Sequence, residues 1–107
     1  MIIRQALFEG SIQSGREDEF KAYVAERLFP LWRTFPGVRD VTVLHGVARD
    51  EGAPNYAMIL SMKFDSEDAL AKALESPVRY ESRDVTKGLT AMFEGRIHHH
   101  VFDVAHG

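Results

Sequence analysis

The sequence predicts a single α+β domain over residues 1–107, with a four-stranded antiparallel sheet in a split βαβ arrangement of the ferredoxin-like type. Apolar residues alternate in Val38–Ala48 and Tyr56–Phe64, as is typical of strands, and Ile2–Phe8 is a short mixed apolar run that also fits a strand. In the segments between them, apolar residues recur every third or fourth position, as on one face of a helix. The order is strand, helix, strand, strand, helices, strand. Right-handed crossovers then give the strand order 4-1-3-2, with the helices on one face of the sheet.

The first strand is expected at Ile2–Phe8 and is followed by a loop over residues 10–15. Ser14 and Glu17 have the spacing of a capping box, which would begin the first helix. Apolar residues at helical spacing continue to Phe35, so one long helix is expected here.

Pro30 lies inside this helix and lacks the amide hydrogen that would bond the carbonyl oxygen of Glu26. We therefore expect the helix to bend or split near Phe29. Pro36 and Gly37 are the residues expected to end it.

The remaining elements are bounded by residues that favour turns. They are expected at Val38–Ala48 and Tyr56–Phe64 for two strands, at residues 65–76 and Val78–Phe93 for two helices, and at Ile97–Val104 for the last strand. Pro77 is expected to stop the first of these helices and Gly95 to break the second.

The composition is that of an ordinary globular protein and excludes several classes of function. The formal charge of −3 gives no basic face for nucleic acid, and no apolar run is long enough to span a membrane. The chain contains no cysteine, so disulfides, thiolate metal sites and cysteine nucleophiles are excluded. The N-terminal residues lack the apolar core of a signal peptide, and we expect a cytoplasmic protein.

Two of the predicted strands are apolar on both faces. In Ile2–Phe8 and Tyr56–Phe64, the residues of either parity are largely hydrophobic, but helices can cover only one face of the sheet. A bare apolar sheet face is unusual on a monomer, and packing two sheets face to face would bury it. The sequence therefore predicts a homodimer.

Three stretches resemble known families. "LFPLWRTFPGV", residues 28–38, resembles the helix end of the EthD-like family, the ethyl tert-butyl ether degradation proteins. "FDSEDALAKALESP", residues 64–77, is similar to the second-helix signature of that family and of the stress-responsive barrel proteins, and Arg96–Val104 is similar to their last strand. Members of the EthD-like family often carry a histidine two residues before the helix proline, where this chain has Leu28.

This resemblance covers almost the whole chain and implies a dimeric α/β-barrel. In that superfamily the two sheets of a homodimer form a barrel with the helices outside, often with an apolar pocket between sheet and helices. The activities it implies are cofactor-free oxygenation of aromatic polyketides, isomerisation and haem degradation, although many members have no known activity. The presence of Leu28 argues against any function that needs the family histidine.

The stretch RIHHHVFDV, residues 96–104, holds three of the five histidines. A purification tag would be terminal, so these residues are assigned to the last strand. Alternation places His98 and His100 on one face and His99 on the other. A catalytic zinc site would need a third ligand, which the neighbouring first strand does not offer, so no metal or other cofactor is expected. His98 and His100 are instead candidate acid or base residues, or residues that hydrogen-bond across the barrel.

His45 is the leading candidate for a catalytic acid or base. It alternates with Val41, Val43 and Val47, whose apolar side should face the helices, and an imidazole titrates near neutral pH. If the bend at Pro30 opens space between helix and sheet, His45 would point into it. A histidine that simply packs in the core is the alternative.

Candidate substrate-binding residues are those expected around the same space. Aromatic residues of the first helix could form a pocket wall, and an arginine of the first strand could bind an anionic or enolate oxygen. Core packing and a solvated charge are the corresponding structural alternatives. The candidates are Arg4, Tyr23, Phe29 and Trp32.

Two function classes follow from these patterns. The first is a small enzyme that binds an apolar or aromatic metabolite between helices and sheet, a cofactor-free monooxygenase or isomerase that uses a histidine as acid or base. The second is a non-catalytic ligand-binding or assembly module. No nucleophile, phosphate-loop or dinucleotide motif is present to indicate other chemistry.

Overall fold

The computed structural model describes all residues from 1 to 107 and contains one four-stranded antiparallel sheet. Its strands lie in the order β2-β3-β1-β4, which is the predicted 4-1-3-2 order read from the other edge. The elements are β1 (Ile2–Ile12), α1 (Glu17–Tyr23), a π-helical turn (Val24–Leu28), α2 (Phe29–Trp32), β2 (Asp40–His45), β3 (Tyr56–Phe64), α3 (Glu67–Leu74), α4 (Pro77–Thr90) and β4 (Phe93–Asp103).

The helices cover one face of the sheet, and the core lies between the helices and the sheet. Alternate residues of β1 and β3 supply the sheet side of this core, and the first helical segment and α4 supply the other side. The rings of Phe8, Phe20 and Phe93 contact one another at centroid distances of 5.6 to 6.4 Å. No helix is both long and apolar enough to cross a membrane.

The central strand β1 and the edge strand β4 are both longer than the sequence predicts. Gly10 and Gly95 lie opposite each other in the ladder, with φ angles of 145° and 153° that favour glycine. A Cβ atom on either residue would collide with the backbone of the partner strand. The expectations that the loop begins at Gly10 and that the last strand begins only after Gly95 were therefore wrong, because facing glycines allow the two strands to continue pairing; residues 13–15 do form a turn.

The first helix does not begin with the predicted capping box. Its N-cap residue is Arg16, and no side chain caps the helix. The Arg16 guanidinium instead forms an ion pair with Glu19, at 2.9 Å. Ser14 lies in the turn before the helix, so its side chain does not take the predicted role.

The helix does change its geometry at Phe29, as Pro30 predicts. Residues Val24–Leu28 form a π-helical turn, and the amide of Phe29 donates to the carbonyl oxygen of Val24, five residues earlier. The α-helical pattern resumes immediately before the proline. This wider turn accommodates the missing amide within one continuous helical segment rather than in two separated helices.

Two strand details differ from the sequence prediction. β2 ends at His45 rather than Ala48, and Val47 beyond it is 97% exposed. The pairing of β1 with β3 shifts between Phe8 and Glu9, and this bulge places Tyr56 opposite Glu9. Tyr56 therefore does not share a face with Met58, contrary to the simple alternation of the sequence.

Candidate ligand cavity

A cavity of about 240 Å³ lies between the helix side of the sheet and helices α2 and α4. It is open to solvent, and Arg83 and His99 are the exposed residues of its lining. An engineered cavity of about 150 Å³ holds a benzene molecule, so this one has room for a single ring with a small substituent. Its lining residues are Arg4, Ala6, Phe8, Trp32, Phe35, Leu60, Met62, Arg79, Ser82, Arg83, Thr86, Ile97 and His99.

The sheet wall of the cavity follows directly from strand pairing. Ala6 of β1 lies opposite His99 of β4, and Arg4 lies opposite Val101. Ala6 is the smallest side chain on this part of the buried face, so it leaves space beside the two longer polar residues. Alternation therefore presents Arg4 and His99 on the same side as the core.

The helix wall is held by a buried hydrogen bond. Trp32 Nε1 donates to Ser82 Oγ at 3.0 Å, and both residues are buried. Ser82 is the only buried polar residue of the chain. This bond satisfies the indole N–H. It therefore fixes the ring of Trp32 against α4 and defines the shape of the apolar wall.

The polar part of the cavity is cationic. Arg4, Arg79 and Arg83 line it, no aspartate or glutamate does, and none of the three arginines forms an ion pair elsewhere in the chain. Arg79 donates a hydrogen bond to the carbonyl oxygen of Leu74 at 3.1 Å. Burial, and then the charge of Arg79, lower the pKa of Arg4. The two charges thus repel each other with no counter-charge from the protein.

His99 completes the cavity at its mouth, where it remains exposed to solvent. Partial desolvation of the ring against the cavity lowers the pKa of His99 to about 4, and the charges of Arg4, Arg79 and His98 act in the same direction. The imidazole is consequently neutral at pH 7 and keeps a lone pair that can accept a proton. Alternation along the last strand assigns His99 to one face, but no sequence pattern marks it as a site residue.

His45 lies on the helix side of the sheet, as expected, but outside this cavity. It pairs with Met58 across β2 and β3, at the edge of the sheet remote from β4. Its Nδ1 atom is buried without a hydrogen-bond partner, and burial together with the nearby charge of Lys21 lowers its pKa. The expectation that His45 points into the space near Trp32 does not agree with this position.

His98 and His100 lie on the opposite, helix-free face of the sheet. Their rings are 5.5 Å apart and belong to a row of ring contacts that runs from Tyr56 through both histidines to Phe102. His98 Nδ1 is buried, is 3.8 Å from a carboxylate oxygen of Glu9, and has no hydrogen-bond partner. No cluster of three or more His, Cys, Asp or Glu residues that could bind a metal is present.

Of the four candidate substrate-binding residues, two line the cavity and two do not. Arg4 and Trp32 are in its wall. The Tyr23 hydroxyl donates to the carbonyl oxygen of Val85 at 2.6 Å, and its ring occupies the space that a side chain at Gly88 would need. Phe29 is not among the lining residues, and the guanidinium of Arg33 lies 5.8 Å from the centroid of its ring.

The fold is similar to that of several solved structures. An EthD family protein from Bacillus halodurans superposes with a TM-score of 0.78 at 20% identity, covering 97% of this chain and 98% of that one. SnoaB, a cofactor-independent oxygenase from Streptomyces nogalater, gives 0.68 at 19% identity over 99% and 94% of the two chains. A dimeric ferredoxin-like protein of unknown function from Thermobifida fusca gives 0.65 at 15% identity over 96% and 90%.

These likenesses confirm the α+β, ferredoxin-like fold and the suspected EthD-like architecture. At such identities they show the fold alone. No family model and no curated protein matches the sequence. The chemistry of this chain therefore has to be argued from its own cavity.

Proposed function

We propose that the protein is a homodimer that binds an apolar or aromatic metabolite in the cavity and acts on it as a cofactor-free monooxygenase or isomerase. The observation that carries the proposal is the position of His99 beside Arg4 in a cavity with a largely apolar wall and no acidic residue. A neutral imidazole can accept a proton from carbon, and a guanidinium beside it can stabilise the oxygen on which negative charge develops. The fold shared with SnoaB, a cofactor-independent oxygenase, supports the same class of chemistry.

The proposed step is proton abstraction from the carbon next to a carbonyl group. His99 takes the proton, the C–H electron pair forms the enolate, and the enolate oxygen lies against Arg4. Returning a proton to a different carbon completes an isomerisation without any oxidant. In the oxygenase version dioxygen is the oxidant: the CH₂ group becomes a carbonyl, and the second oxygen atom leaves as water.

Hydrogen exchange tests this step without knowledge of the natural substrate. Single-ring ketones such as phenylacetone would be incubated with the protein in D₂O, and deuterium at the carbon next to the carbonyl measured by NMR. His99→Ala should lower the catalysed exchange rate by about 10²-fold, the usual scale for general acid–base catalysis. His106→Ala is the matched control, since this histidine is exposed near the C-terminus.

Exchange that is equally fast in His99→Ala would contradict the assignment. The roles that the sequence suggests for His45, His98 and His100 are tested by the corresponding alanine variants in the same assay. The pair on the helix-free face is the second candidate, because His98 has a buried ring nitrogen without a partner. Saturable ligand binding without any exchange would favour the non-catalytic binding module.

The homodimer is supported by the helix-free face of the sheet. Leu44 and Phe102 lie there with 48% and 49% of their surfaces exposed, next to the half-buried Leu7 and Ile59. One structural neighbour is described as dimeric. Face-to-face packing of two such sheets would bury these side chains and form the barrel that the family resemblance implies. The cytoplasmic location stays a prediction.

Light scattering tests the dimer directly. At micromolar concentration the protein should have about twice the 12.1 kDa mass of one chain. Phe102→Asp should produce monomers, because it would place a carboxylate in the interface. Val47→Asp changes an almost fully exposed loop residue and should leave the mass unchanged. A wild-type protein that is monomeric under these conditions would refute the dimer.

A further inference from the structure

The cavity contains more positive charge than the proposed function uses, since that function gives a role to Arg4 alone among its three arginines. Arg4 and Arg79 are both half-buried and line the same cavity, and the charge of Arg79 contributes to the lowered pKa of Arg4. Like charges in a partly desolvated site oppose folding unless a counter-charge is supplied. Elsewhere in the chain, Arg16, Arg39 and Arg96 all pair with a carboxylate. Arg4 and Arg79 do not, and they differ from the unpaired Arg27, Arg33 and Arg49 in being half-buried rather than exposed.

From this geometry we infer that the ligand is a small apolar carboxylate whose carboxylate group lies between Arg4 and Arg79 and whose ring or alkyl body packs on Trp32. This inference rests on the proposed function, in that it assumes the cavity is the ligand site. It adds the charge and the size of the ligand.

The available hydrogen-bond donors support a carboxylate. The Arg4 guanidinium donates to no protein group, and Arg79 uses one nitrogen for the carbonyl of Leu74. A guanidinium presents a planar pair of N–H donors that matches the two oxygens of a carboxylate. Two such groups facing one cavity with free donors can therefore bind one carboxylate from two sides.

The apolar part of the cavity sets the size of the ligand body. Trp32, Phe35 and Leu60 form the wall next to the arginines, and Ala6 leaves the space beside them. The volume of about 240 Å³ is below the ~300–1,000 Å³ typical of sites for drug-sized molecules. A carboxylate with one ring fits this space, whereas a fused polycyclic ligand does not.

The same arrangement disfavours ligands of other charge relative to an anion. A cation would meet Arg4, Arg79 and Arg83 with no acidic residue to offset them. A neutral ligand would leave the two guanidinium groups desolvated beside each other. Binding of an anion alone removes the repulsion between them.

The single tryptophan provides the measurement. Trp32 is the only tryptophan of the chain and lies in the cavity wall, so its fluorescence reports on this site alone. The wild-type protein would be titrated at pH 7.5 with benzoate and with benzamide, which share a shape but differ in charge. Benzoate should bind at least tenfold more tightly, since hydrogen bonds to a charged group are the stronger ones.

Variants separate this inference from the proposed function. Arg4→Met and Arg79→Met should each weaken benzoate binding about tenfold and leave benzamide unchanged. Arg33→Met is the control, because Arg33 is exposed and lies outside the cavity. Equal affinity for the two probes, unaffected by either cavity variant, would overturn the carboxylate inference while the cavity remained a binding site. Absence of binding by either probe, confirmed by calorimetry, would overturn the proposed function as well.

Discussion

The two faces of the sheet carry histidines in very different surroundings, although these histidines are consecutive in the sequence. His99 lies beside arginines at the mouth of a cavity, whereas His98 and His100 lie among aromatic rings on the helix-free face. A step of one residue along a strand moves a side chain from one environment to the other. Strand parity thus decides which imidazole lines the cavity, and the number of histidines in the stretch is not informative.

The largest expected effect is on the free energy of unfolding and concerns the pairing of β1 with β4, which sets the face on which each histidine lies. Gly10→Ala should destabilise the protein by about 3 kcal/mol or more, because the backbone angle disfavours a side chain and the added Cβ meets the β4 backbone. Denaturant unfolding provides the measurement. Gly52→Ala is a matched control, since Gly52 also has a positive φ of 83° but open space around it. Its cost should be about 1 kcal/mol. Equal costs in the two variants would show that the close approach of β1 and β4 is unimportant.

The dependence of the free energy of unfolding on pH should show the effect of His99 on the cavity side of the sheet. The pKa of His99 in the folded state, about 4, is below its ordinary value of 6.5, so the unfolded chain binds more protons between these two values. Stability should therefore fall as the pH decreases from 6.5 toward 4. In His99→Gln this part of the decrease should be absent, as measured by thermal unfolding at pH 7.5 and pH 4.5. A variant that loses as much stability as the wild type would contradict the assigned pKa.

The electrostatic contribution of the cavity arginines can be isolated by NMR titration of His99. Arg4→Met removes one of the positive charges that disfavour the imidazolium, so the pKa of His99 should rise from about 4 toward 6.5. The other charged or titratable groups near the His99 ring would remain in this variant. They are Arg79 and Arg83 on α4 and His98 on β4. Arg96→Met provides the comparison from the other face, where Arg96 pairs with Glu9. An equal shift in both variants would mean that the two faces are not electrostatically separate.

The smallest effect is expected for the ion pair of the helix-free face. Glu9 lies 3.2 Å from Arg96, whose side chain is 74% exposed. Exposed pairs contribute about 0.2–1 kcal/mol, so Glu9→Gln should change the free energy of unfolding by less than about 1 kcal/mol. Chemical denaturation of the variant checks this value. A larger loss would indicate that Glu9 has a further partner, such as His98, in the assembled protein.

Much of the fold could be predicted from the sequence, because the order of elements and the alternation of apolar residues dictate the topology. The errors have local causes. A glycine considered alone predicts a break in a strand. Gly10 and Gly95 are nevertheless compatible with paired strands, because they lie opposite each other. Tyr56 changes face because of a bulge, which depends on how two strands pair and not on either strand alone.

The site was less predictable than the fold. Arg4 and Trp32 were selected from the sequence and do line the cavity, but His99 was not selected, because a pair of histidines on the opposite face resembled a site more closely. One signal could have identified it. Ile97 is apolar and shares parity with His99, and antiparallel pairing with Phe8 assigns that parity to the core face. The position of the cavity relative to His45 depends on how the helices pack across the sheet. This packing cannot be predicted from a local sequence pattern.

The π-helical turn at Val24–Leu28 has a consequence for how the chain tolerates changes in length. Because each residue rotates an α-helix by about 100°, deleting one residue from this turn would move Trp32 off the cavity wall. The segment between β2 and β3 has no such constraint, since residues 46–55 are almost all exposed and outside any helix or strand. Insertions and deletions should therefore accumulate in that loop among homologous chains, while the length of the first helical segment stays constant.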